Sequence, residues 1–270
     1  MGSLSANGQV FIINPNGVLF GAGAQVNVGS LTATSLGLSD ADFMANRLKF
    51  VGDSSAGSVI NQGSITVAPG GAIAFMAPLV SNSGTLSAPQ GNVLLAGAEA
   101  VTLTLQDGSP FSYTLDKGSA AALVENGGLI QAGGGHVILT AIGVDALSRA
   151  AVNHTGVIEA QTVGIKNGVI ELLGDRQSAT VTVGGKLDAS APNGGDGGFV
   201  ETSAATVKVE PDARVTTLAP QGKTGEWLID PRDYNVAAVG GRHHRCAVKC
   251  QSGQYQRNDS EFKRCRRGQW

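Results

Sequence analysis

Asn61-Gln62-Gly63-Ser64-Ile65-Thr66-Val67 reads Asn-x-Gly-x-apolar-x-small, and the chain repeats the phrase. It returns as Asn82-Ser83-Gly84-Thr85-Leu86-Ser87-Ala88 and as Asn126-Gly127-Gly128-Leu129-Ile130-Gln131-Ala132, and a looser copy runs from Asn153 through Gly156 and Ile158 to Ala160. The start-to-start steps are 21, 44 and 27 residues, the long one close to two units. A period of about 20–27 residues built from strand-like pieces marks a solenoid, in which each repeat buries its apolar face by stacking on its neighbours.

A second phrase with glycines follows each copy. Gly70-Gly71-Ala72-Ile73-Ala74-Phe75, Gly91-Asn92-Val93-Leu94-Leu95 and Gly134-Gly135-His136-Val137-Ile138-Leu139 follow the first three, and a weaker Gly168-Val169-Ile170-Glu171-Leu172 the fourth. One unit is therefore a turn, a short strand, a Gly-rich turn, a second short strand and a variable return. Ala24, Val26 and Val28 alternate with Gln25 and Asn27, and Val181 and Val183 with Thr180 and Thr182, which gives one buried face and one wet face. Only Ser39-Asp40-Ala41-Asp42, with a capping serine and an aspartate three residues on, and the stretch 145–152 suggest helix. Parallel strands without crossover helices point to an all-β fold, a parallel β-helix. About ten coils at about 4.8 Å each would make a rod on the order of 50 Å long. A sandwich of antiparallel hairpins is the alternative. One true hairpin is expected, Val101 to Leu105 against Phe111 to Leu115 through Gln106-Asp107-Gly108; as a small extra-helical insertion it accounts for the doubled 44-residue step.

The 39 glycines suit coil corners at positive φ, and turn asparagines could bond from coil to coil as a ladder. Charge divides the chain. Residues 1–239 hold 11 of the 19 Lys+Arg and 19 of the 21 Asp+Glu, net −8, whereas residues 240–270 are net +6 and hold Cys246, Cys250 and Cys265. The body has no basic stripe, so no nucleic-acid partner is expected. No apolar run is long enough for a membrane span. Met1-Gly2-Ser3-Leu4 leads straight into strand-like sequence, without the pattern of a signal peptide.

Residues 7–31, NGQVFIINPNGVLFGAGAQVNVGSL, closely resemble the N-terminal secretion domain of the filamentous haemagglutinin family, the exported partner of two-partner secretion. Asn14-Pro15-Asn16-Gly17-Val18 matches the family's NPNG element, and Asp42-Phe43, the Asn-x-Gly phrases and Gly225-Glu226-Trp227-Leu228-Ile229-Asp230-Pro231 extend the resemblance over about residues 2–239. The resemblance implies a right-handed parallel β-helix and secretion through an outer-membrane β-barrel transporter with periplasmic POTRA domains. It implies a secreted or cell-surface protein of a Gram-negative bacterium, of the adhesin, haemolysin or contact-dependent inhibition type, with host glycans or a cell surface as further partners. It also implies a signal peptide and strands upstream of Gly2 and a repeat region downstream, so the chain is expected to be a fragment: a partial secretion domain over 1–239 and a basic tail over 240–270.

Each singled-out residue has a plainer reading. Pro15 fixes φ, and Asn16-Gly17 permits left-handed geometry, so residues 14–18 are first a tight turn and then a candidate contact for the transporter. Parallel β-helices also carry lyases and hydrolases, which need converging carboxylates. Glu159, Glu171, Asp175 and Asp188 fall in consecutive units, but no acid triplet or Lys/Arg pairing stands out, and no catalytic residue, cofactor or metal is assigned. His136 and His154 read as wet turn residues. His243-His244-Arg245-Cys246 with Cys250 resembles a zinc site only loosely, and the tail reads as a disordered extension or out-of-frame translation. Trp227 near the end reads as a cover for the open end of the solenoid. The function expected is a secretion domain that nucleates folding outside the cell; a carbohydrate-active enzyme or a glycan-binding adhesin on the same fold is the alternative.

Overall fold

The computed structural model describes residues 2–232 other than Ser54, Asp107 and Gly108, without the side chains of 105–111, and beyond them only four two-residue strands. Among the described residues each coil has three strands rather than two, so three sheets run the length of the rod. The Asn-x-Gly phrases enter the first sheet, where Ser3–Ser5, Gln25–Val28, Ser64–Val67, Thr85–Ser87, Leu129–Gln131, Val157–Glu159, Lys186–Asp188 and Arg214–Thr216 pair in parallel. The glycine phrases enter the second, from Gln9–Ile13 through Ala72–Ala77 and His136–Ala141 to Glu226–Pro231. The third strand lies in the stretch read as a variable return: Val18–Phe20, Ser58–Asn61, Leu79–Asn82, Leu123–Asn126, Ala151–His154, Thr180–Val183 and Thr206–Val209.

The parallel β-helix expected from the repeat is the observed fold. Among the described residues its first sheet has eight parallel rungs, where about ten coils were expected; two stretches leave the helix and spend residues outside it. The stretch 145–152, a candidate helix by sequence, is turn and strand, with Ala151–His154 pairing in the third sheet. The other candidate is helical: Asp40–Met44 starts at Ser39, whose Oγ accepts from the Asp42 amide at 3.1 Å.

The core is stacked in rows. Ile65, Leu86, Ile130, Ile158 and Leu187 share one inward column, and Ile73, Val93, Val137, Ile170 and Val200 another, all fully buried. Each such side chain contributes about 1.5–3 kcal/mol of burial. Phe20 stacks on Phe75 at 5.8 Å near the first coils. At the other end Trp227, 5% exposed, pairs with Val200 and donates its Nε1 hydrogen to Thr202 Oγ1 at 3.2 Å. The expected basic tail, with its three cysteines, lies outside the described residues apart from the dipeptides His244–Arg245, Lys249–Cys250 and Gln254–Tyr255.

Two corners explain the repeated phrase. The asparagine that opens it is the last residue of the third strand, and its side chain turns inward. Asn61, Asn82 and Asn126 are at most 1% exposed and form the expected ladder: Asn61 Nδ2 donates to Asn82 Oδ1 at 2.8 Å, and Asn82 Nδ2 to Asn126 Oδ1 at 2.7 Å. The next rung is His154, not Asn153. Its ring is fully buried, with Nδ1 at 3.1 Å from Asn126 Nδ2 and Nε2 at 3.2 Å from the Lys186 carbonyl. The expectation of a wet turn histidine fails there because the register puts Asn153 on the outer face. The glycine of the phrase has a different cause from the one expected. Gly63, Gly84, Gly128 and Gly156 have no positive φ; instead, a Cβ on each of the last three would overlap the carbonyl oxygen of the glycine one rung before. Backbone approach, rather than handedness, excludes any other residue there.

The excursions meet outside the second sheet. Leu48–Val51, from the second coil, pairs antiparallel with Ala100–Gln106, from the fourth, and Ala100–Gln106 pairs with Ser109–Lys117 as the expected hairpin, whose Asp107-Gly108 turn lies outside the described residues. Leu48, Phe50, Val101 and Leu103 cover Ala74, Met76, Leu94, Ala96 and Ile138, making a second core. Lys117 Nζ reaches the buried Glu99 at 2.7 Å at its base.

Candidate functional site

Residues 14–18 join the second and third sheets in the first coil. The Asn14 amide donates to the Thr34 carbonyl at 3.0 Å, so pairing continues to the edge of the turn, and the Gly17 amide closes the turn on the Asn14 carbonyl at 2.8 Å. Pro15 occupies the position after Asn14, where its fixed φ suits a turn that then closes. Asn14 Oδ1 accepts from the Asn16 amide at 3.1 Å, an Asx bond that holds the turn from within. Gly17, at φ +105°, takes the left-handed residue; Asn16 does not. The Pro15 carbonyl accepts from the Gly57 amide at 2.7 Å, and a Cβ on Gly57 or Gly17 would strike the other segment's backbone. Asn14, Pro15 and Asn16 are nonetheless exposed, beside Ile13 at 38% and Leu19 at 64% exposure. The turn is thus fixed on its inner side by the second coil and open on its outer side.

The carboxylates do not converge. Glu159 and Asp188 are register neighbours on the first sheet, Glu171 lies on the second, and Asp175 sits in the turn after it. Lys186 pairs with Asp188, two residues on in its own strand, at 2.9 Å and with Glu159, on the preceding rung, at 3.3 Å, so the pairing absent from the sequence pattern is completed between rungs. Burial would raise the Asp188 carboxyl, but its bonds from Ser190, Lys186 and Gln161 outweigh that and hold it below the usual range. Burial likewise opposes the Lys186 charge, and Asp188 and Glu159 outweigh it and push its pKa up. Asp175 accepts from the Gly143, Gln177 and Ser178 amides and serves its turn. His136 Nε2 lies 3.0 Å from Glu171 Oε2, on the outer face rather than in a turn. Among the described residues no group of His, Cys, Asp and Glu could hold a metal ion, and no helix is long and apolar enough to cross a membrane.

A three-sheeted parallel β-helix with an exposed Asn-Pro-Asn-Gly turn on its first coil defines the class: a β-solenoid domain. The chain belongs to the TPS secretion domain family, whose model matches residues 1–189. It is similar to two heme/hemopexin-binding proteins of Haemophilus influenzae, at 33% identity over 181 residues and 31% over 195, in each case 64% of this chain. It spans about a fifth of the length of these curated relatives, 20% and 21%. Its fold matches the crystal structure of the HMW1 secretion domain from Haemophilus influenzae, with a TM-score of 0.69 and 24% identity over 84% of this chain and 58% of that one. The chain is accordingly a secretion domain of a two-partner exoprotein, and the carbohydrate-active enzyme is the weaker reading.

Proposed function

We propose that this domain is recognised by an outer-membrane β-barrel transporter with POTRA domains, through the turn Asn14, Pro15, Asn16, Gly17 and Val18, and that the same turn starts the stacking of the rod on the outside of the cell. The observation that carries the reading is the two-sidedness of the turn. Its outer side presents the exposed Pro15 ring and Asn16 side chain to a partner, and its inner backbone is already committed to Gly57 and Ser58 of the second coil. Recognition and first stacking would then use one element. The full exoprotein would be a secreted or surface adhesin-like protein, with any host glycan or surface ligand held outside this turn.

The test is secretion of the full-length exoprotein, co-expressed with its transporter, carrying Asn14→Ala or Asn16→Ala. Both should lower the supernatant level several-fold. Asn16→Ala should leave thermal stability of the purified domain within about 0.5 kcal/mol, since its side chain is exposed. Asn14→Ala should cost about 1 kcal/mol through the lost Asx bond. Supernatant levels equal to wild type for both variants would overturn the assignment.

A further inference from the structure

The Asn61–Asn82–Asn126–His154 column runs in one direction. Each amide nitrogen donates to the next oxygen, so Asn126 has only its NH2 left to offer His154 Nδ1. That makes Nδ1 the acceptor and places the ring proton on Nε2, which donates to the Lys186 carbonyl at 3.2 Å. A protonated imidazole has two donors and no acceptor. Its Nδ1 hydrogen would then oppose the Asn126 NH2. Turning Asn126 over would set its NH2 against that of Asn82, and correcting this would turn Asn82 and then Asn61. The last turn would take Asn61 Oδ1 away from the buried Gly63 amide, which it accepts at 3.1 Å. The conflict has no local remedy.

We propose that His154 is an acid-labile latch: neutral, it joins the fourth and fifth rungs of the third sheet to the Lys186 strand of the first; protonated, it unstacks the rod at that joint. The proposal is independent of the secretion reading. No charged side chain reaches the ring to stabilise a cation. Its own strand carries none, and Glu125, on the preceding rung, pairs in register with Asn153 on the outer face rather than with His154. Lys186 turns its ammonium to Glu159 and Asp188, and Glu210 and Asp212 lie across Gly184 in the following corner. Burial therefore dominates and pushes the imidazole down to about 4, its hydrogen bonds to Lys186 and Asn126 acting the other way without offsetting it.

The unfolded chain takes up this proton near the ordinary histidine value of about 6.5, before the folded chain does. Stability is therefore complete above that value, falls as pH drops toward about 4, and levels off below. The expected loss in the folding constant across the window is roughly 100-fold or more.

Urea unfolding of the full chain at pH 7.5, 6.5, 5.5 and 4.5 tests the latch in wild type, His154→Asn and Asn153→Ala. His154→Asn continues the ladder with an amide and should flatten the curve by about one proton, while Asn153→Ala, on the outer face beside it, keeps the wild-type slope. A His154→Asn curve parallel to wild type overturns the proposal. Imidazole nitrogen NMR of the wild type is the second measurement, needed if His154→Asn fails to fold. It should find the Nε2–H tautomer persisting below pH 5; an Nδ1–H tautomer, or titration near 6.5, overturns the latch equally.

Discussion

Asn126 shows what one side chain does in this rod. It is 1% exposed and takes one ladder bond from Asn82 while giving another to His154. Asn126→Ala would leave a buried donor and a buried acceptor without partners, each costing about 1–3 kcal/mol. The expected loss is about 2–4 kcal/mol by denaturant midpoint, against less than about 0.5 kcal/mol for Asn153→Ala on the outer face. Equal effects would mean that the column adds nothing beyond packing. The ladder was legible in the sequence because three of its members are the same residue at the head of the same phrase. His154 was not, because a different side chain holds the fourth place and Asn153, one residue earlier, imitates it. Lys186 was missed for a related reason: Asp188 lies two residues on along its own strand, but Glu159 joins them only when two rungs stack.

At the scale of the element, the corners carry the constraint. Gly91 lies between Gly71 and Gly135, and a Cβ there would overlap the Gly71 carbonyl oxygen. Neither backbone can withdraw without breaking the rung, so Gly91→Ala should cost more than about 3 kcal/mol, in the range of severe overpacking. Gly21, with open space around its Cβ position and no positive φ, should accept alanine without loss. Thermal melts of the two variants decide it, and a tolerated Gly91→Ala would show that the corner can shift. Spacing made these corners readable, but their cause was misread as handedness, since sequence cannot distinguish a glycine needed for φ from one needed for close approach. The third strand was hidden for the opposite reason. Ser58–Asn61 and Leu79–Asn82 follow a different turn residue each time, Gly57 and Pro78, so no repeated phrase announces them, and each has only two inward residues. Leu48–Val51 was invisible because its partner strand begins at Ala100, about fifty residues downstream.

At the scale of the molecule, that long-range pair changes how the rod should come apart. A solenoid is close to a one-dimensional stack in which each coil is held by its two neighbours and frays from its ends. Here the three-stranded cover ties the second coil to the fourth and lies over the third and fifth, through Phe50, Met76, Leu94 and Ile138. Beyond it the outer face of the second sheet carries Glu171, Glu201, Leu228 and Asp230, partly exposed. The covered coils should therefore open together and last. In amide hydrogen exchange, Asn92–Gly97 and His136–Ala141 should outlast Thr206–Val209 and Glu226–Pro231 by at least tenfold, a difference of about 1.4 kcal/mol in opening free energy. Phe50→Ala, at a cost of about 3–5 kcal/mol, should erase protection in the covered coils and leave the later ones unchanged. If Phe50→Ala lowered protection evenly along the chain, the rod would be one cooperative unit and the cover only a decoration. The selective outcome would mean that the fourth coil must be in place before the second is secured, so a chain emerging from its N-terminal end would gain most of its stability in one step, when the hairpin from residue 100 closes on Leu48–Val51.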